Sequence, residues 1–81
     1  MKIGETVIYK LTEHDVQVIN KRRNARGGDF NDVQVGEVYP AIVVRAFSDS
    51  ANLHVLLDGL DTHWAVSRSE GQAGGQYTRV E

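Results

Sequence analysis

The chain has 81 residues, with 9 Lys+Arg against 11 Asp+Glu, a net charge of −2, 41% hydrophobic content and no Cys. That length allows one domain, 1–81, with a small core. The lack of Cys excludes disulfides, thiolate metal sites and Cys nucleophiles, and fits a reducing compartment. The charge argues against wholesale affinity for nucleic acid or an anionic membrane. No apolar run approaches the ~20 residues of a membrane span. The opening MKIGETVIYKL lacks the apolar core and cleavage site of a signal peptide, so a soluble cytoplasmic protein is expected.

Residues 3–11 alternate, with Val7, Tyr9 and Leu11 on one face and Thr6, Ile8 and Lys10 on the other, which predicts a first strand. The period then changes. Thr12 and Asp15 stand at the N-cap and N3 positions of a capping box, and Leu11 and Val16 at those of a hydrophobic staple. Val16, Ile19 and Arg23 share one helical face. Acidic Glu13 and Asp15 open the segment, while Lys21, Arg22 and Arg23 close it, matching the helix dipole. A helix over 13–23 is expected, stopped by Asn24 and the Gly27-Gly28 pair. Residues 24–36 are rich in Gly, Asn and Asp and predict a long loop, pinned by Phe30, Val33 and Val35.

The stretch from Glu37 to Gly71 carries the densest β-branched run and predicts three antiparallel strands. Pro40 belongs at a strand start or an edge, because it offers no N–H to a ladder. Ser48-Asp49-Ser50 and Asp58-Gly59 mark the two turns. A last short strand is expected at 76–80. Within the three strands, the set richer in large apolar groups is assigned to the core: Ile42, Val44, Ala46, Leu53, Val55, Leu57, Trp64 and Val66. The opposite face then carries Val43, Arg45, Phe47, His54, Leu56, His63, Ala65 and Ser67. Val43, Phe47 and Leu56 there are too apolar for a water-facing surface, so Val43, Phe47, His54, Leu56 and His63 are the candidate interface of a homo-oligomer. Five short strands with a helix in the first long connection describe a mainly β protein of the small SH3-like barrel type.

Chemistry-bearing patterns are sparse. His54 and His63, placed on one face across the Asp58-Gly59 hairpin, are too few for zinc, which takes three or four protein ligands. No metal or other cofactor is expected. Ser67, Ser69 and His63 lie near one another without a nucleophile-elbow motif or a carboxylate placed to orient the His, so no catalytic residue is assigned. The basic run Lys21, Arg22, Arg23 and Arg26 serves a helix C-terminus or forms an anion- or nucleotide-binding patch, the further alternatives being nucleic acid and an acidic protein partner. Arg45 and Arg68, beside Trp64, are further candidates for holding an anion next to an aromatic. Nucleic-acid binders show broad basic surfaces with interleaved aromatics, which this chain lacks.

The segments LTEHDVQVINKRR, VYPAIVVRAF and NLHVLLDGLDTHWAVSRSEG, with a closing G-Q-Y, resemble a group of small, mostly uncharacterised proteins encoded by tailed bacteriophages and prophages. The resemblance implies a viral accessory protein acting in the host cytoplasm. It brings no established activity and no catalytic residues. Members of that group often end in an aromatic cluster, where this chain has Tyr77 alone. The expectation is a non-enzymatic, self-associating interaction module, working on itself or on a host or virion protein. The alternatives are an anti-defence sponge that sequesters a nucleotide-type signal at subunit junctions, and a small nucleic-acid-binding barrel.

Overall fold

The computed structural model describes residues 2–80. Strand β1 (Thr6–Lys10) leads into helix α1 (Glu13–Arg26), followed by β2 (Val38–Ala46), β3 (Ala51–Leu56), β4 (Thr62–Arg68) and β5 (Tyr77–Arg79). The strands form one antiparallel sheet in the order β4-β3-β2-β1-β5. The sheet is not closed. A lone bridge between Glu70 and Tyr77 links the chain just after β4 to β5.

The helix starts where its capping residues place it. Thr12 accepts from the Asp15 N–H at 3.0 Å, and the Asp15 carboxylate accepts from the Thr12 N–H at 2.9 Å. It runs to Arg26 rather than stopping at residue 23. Asn24 continues the helix, and Gly27 ends it at φ +70°, its N–H donating to the Arg23 carbonyl at 2.7 Å. The loop is shortened accordingly. Val33 is buried in it, Phe30 bridges to Gly59, and Val35 remains exposed. Pro40 lies inside β2 rather than at its start. Pairing with β3 begins one residue later, at Ala41, so the absent N–H breaks no ladder bond there.

One face of the sheet packs against α1 and buries Val7, Tyr9 and Leu11, then Ala41 and Val43, then Ala51, Leu53, Val55 and Leu57, with Ala65, Tyr77, Ile19 and Val33 completing the core. Burying each large apolar side chain here is worth about 1.5–3 kcal/mol. The expected faces hold for β1 and β3 and are reversed for β4 and for β2 up to Val44, where a bulge between Val43 and Arg45 restores the expected parity and brings Ala46 against the core. Ala41, Val43, His63 and Ala65 point inward, while Val44, Trp64 and Val66 point outward. Size ranking fails because β2 is apolar on both faces. The inner face instead takes small residues, leaving room for Tyr9, Leu11, Leu53 and the helix. On β4, His63 goes inward because a carboxylate awaits it. The register pairs His54 with Trp64 and Val55 with His63, so the two His lie on opposite faces.

Candidate functional site

Three arrangements collect the polar and exposed apolar groups. The first is internal. Asp15 is 1% exposed and accepts from the Tyr9 hydroxyl at 2.6 Å and from the Thr12 N–H, while His63 Nε2 lies 2.9 Å from its other oxygen. Burial pushes the Asp15 carboxyl up, but the bonds from His63, Tyr9 and Thr12 together outweigh it and hold the group well below the usual carboxylate range. An ionised carboxylate only accepts, so His63 Nε2 must carry a hydrogen. Burial and the adjacent carboxylate push the Tyr9 phenol well above its ordinary value. Arg68 bends inward to the same place, with Nη2 3.8 Å from Asp15 and its guanidinium 5.8 Å from the Tyr9 ring. The sequence reading placed no carboxylate beside a His, and here it is. The signal was the inner-face Tyr9 with the N3 Asp15; the reversed parity of β4 hid His63. At 6% exposure, His63 offers no opening for a substrate, so the cluster ties the helix start to β1 and β4.

The second arrangement is a cleft at the other end of α1. Arg23 forks onto Asp61 through Nε and Nη2, both at 2.9 Å, donates Nη1 to the Asn31 carbonyl, and lies 4.3 Å from the Phe30 ring centroid. Arg22 reaches the same carboxylate at 2.9 Å. The Arg23 bond, reinforced by Arg22, holds the Asp61 carboxyl well below its usual range despite partial burial. Arg22, Arg23 and Arg26, with Phe30, Leu60 and Thr62, border a cleft of about 350 Å³. The three arginines expected together are therefore together, but two share one aspartate. Arg26 makes no ion pair among the described residues.

Arg45, Trp64 and Arg68 do not form the anion site proposed for them. Arg45 points at Phe47, 5.7 Å from its ring, Arg68 turns beneath the sheet, and Trp64 meets His54 edge-on at 5.8 Å on the outer face. Trp64 is also not a core residue.

The third arrangement is that outer face. Of the expected interface residues, His54, Leu56 and Phe47 are exposed. Val43 is fully buried and His63 nearly so, because β2 and β4 present their other faces. What replaces them is more apolar. Ile42, His54 and Trp64 stand in one cross-strand row, and Leu56 pairs with Thr62 in the next. Val44, Leu56, Trp64 and Val66 are each 41–50% exposed. None of these positions carries a charge. Among the described residues, no group of three or more His, Asp or Glu could hold a metal. No helix is long and apolar enough to cross a membrane. Compared with known proteins, the chain matches no family model, no curated protein and no solved structure.

Proposed function

We propose that the chain is a non-enzymatic interaction module that associates with itself through the outer surface of its sheet. The uncharged apolar face around Trp64 carries this reading. Water-facing sheet surfaces are ordinarily polar, and exposed apolar patches of this kind mark interaction sites. The positions around Trp64 carry no Lys or Arg, and Arg45, which the register places beside outward-facing Asn52, is a single cation at the far end of β2, too little to hold nucleic acid, which binds chiefly through phosphate charge. A second copy is the partner that requires no complementary charge, and two-fold self-contact is the commonest solution. Any area left open would take a host or virion protein, the setting that the resemblance to phage accessory proteins suggests. The scaffold is read as an incompletely closed SH3-like barrel. Supporting that are the strand order, the longest connection falling between the first two strands, and the Glu70–Tyr77 bridge that brings the chain just after β4 against β5.

Size exclusion with light scattering tests the reading. Wild type is expected above the 9.0 kDa protomer mass, and Trp64→Asp is expected to stay folded and fall to it. A wild type that is monomeric at high micromolar concentration contradicts self-association.

The cleft beside α1 favours a second reading, in which a nucleotide-type anion is captured by Arg26 and Arg22 against Phe30 and Leu60. A rise in Tm on adding nucleotide, lost in Arg26→Ala, would support it. An unchanged Tm would remove it.

A further inference from the structure

We propose that two copies join edge to edge through β4, antiparallel about a two-fold axis at Trp64, making a single sheet twice as wide. This rests on the self-association reading and places the contact at the β4 margin of that surface, through the edge at Trp64 rather than across the outer face.

The two edges of the sheet are treated differently. β5 is three residues long, its Arg79 is paired with Glu5, and its outer side is occupied. There the Gly71 N–H donates to the Tyr77 carbonyl at 2.9 Å, and the Tyr77 N–H donates to the Ser69 carbonyl at 3.2 Å. β4 has none of these protections from Thr62 to Ala65, before the bulge at Val66 and Ser67. Its sequence from Thr62 to Val66 is THWAV, with no charge and no Pro. Native sheets ordinarily blunt an open edge with charge, Pro, a bulge or a cover. The irregularity on β4 begins at the end of this run, where Val66 and Ser67 together stand opposite Asn52 and Ser67 takes a positive φ of 55° and donates its N–H to Asn52 Oδ1, so Thr62 to Ala65 is the regular part of the edge.

The direction of the free groups follows from the ladders. Val43 donates its N–H to the Glu5 carbonyl and accepts from the Gly4 N–H, so its backbone faces β1. Alternation turns Ile42 toward β3, then His54 toward β2, then Leu53 and Val55 toward β4. His63 and Ala65 therefore face β3, and Thr62, Trp64 and Val66 face outward. Among the described residues, no hydrogen bond reaches those outward groups. An axis at Trp64 pairs all of them at once: Trp64 with the partner's Trp64, and Thr62 with the partner's Val66. Because that register keeps facing parity, both apolar outer faces lie on the same side and both helices on the other. No like charges meet across the seam. The uncharged, self-matching run is what selects a second copy over a charged foreign strand.

The experiment compares Trp64→Pro with Leu56→Asp by size exclusion with light scattering. Pro at an outward-facing edge position leaves the β3–β4 bonds intact but removes the central donor of the seam. Leu56 lies on the outer face of β3, one strand in from the edge. The expected result is a wild type of twice the 9.0 kDa protomer mass, a folded monomeric Trp64→Pro and a dimeric Leu56→Asp. A monomeric Leu56→Asp with a dimeric Trp64→Pro would mean face-to-face packing, overturning the edge geometry while self-association stands. A monomeric wild type overturns both. Should Trp64→Pro not fold, Trp64→Cys in this Cys-free chain is expected to give a disulfide-linked dimer on oxidation while Leu56→Cys does not. The reverse pattern rejects the seam.

Discussion

Asp15 accepts hydrogen bonds from β1, from the helix cap and from β4 at once, through Tyr9, Thr12 and His63. Removing it strands three donors and leaves the inward-turned Arg68 without its nearest carboxylate. Asp15→Ala is therefore expected to cost about 3–5 kcal/mol, the range for breaking a buried charged pair. Thr12→Ala, which removes only the cap, is expected to cost about 0.5–2 kcal/mol. Urea unfolding checks both, and equal effects would mean that Asp15 is no more than a cap. The pH dependence follows from the same carboxyl. Its folded pKa lies below the unfolded value of about 3.9, so the stabilisation is fully present above that value and is lost as the pH falls through the folded one. Asp61 adds to the loss with the same sign. Thermal midpoints are expected to fall from about pH 4 downward, and Asp15→Asn is expected to flatten the slope.

At the scale of elements, the helix is fastened at both ends by carboxylates, Asp15 at its start and Asp61 on the β3–β4 connection. Arg23 is 4% exposed and depends on Asp61 for its charge partner. Asp61→Ala is expected to cost about 1–3 kcal/mol, the cost of leaving buried donors unsatisfied. It is also expected to speed amide exchange in the last turn, at Asn24 to Gly27. Unchanged exchange there would mean that the tie does not hold the helix end. The start of this helix was readable because a capping box is local, set by Thr12 and Asp15 alone. The faces of β1 and β3 were readable too, since Val7-Tyr9-Leu11 and Leu53-Val55-Leu57 are unbroken apolar sets whose opposite faces include the polar Thr6, Lys10, Asn52 and His54. β2 gave no such contrast: Ala41 and Ile42 differ only in size and Val43 and Val44 not at all, and the register with β3 decides between the two faces. His63 could not be placed from its own strand, because what draws it inward is a residue 48 positions away. The same parity error hid the exposed position of Trp64.

Across the whole molecule, two facts point the same way. The outer face of β2–β4 around Trp64 is apolar and uncharged, and from Thr62 to Ala65 the outward backbone groups of the strand at its margin have no partner among the described residues. Either alone would be a liability in a small sheet exposed to water. Joined about Trp64, the edges satisfy each other and the two faces merge into one surface for a further partner. Hydrogen exchange resolved by residue tests this most directly, because the same strand contains its own control. His63 and Ala65, bonded to β3, are expected to be protected at every protein concentration. Thr62, Trp64 and Val66 are expected to exchange freely in dilute protein and to gain protection as concentration rises. Exchange of those three amides that stays fast and independent of concentration, in a protein whose His63 and Ala65 are protected, would contradict the account.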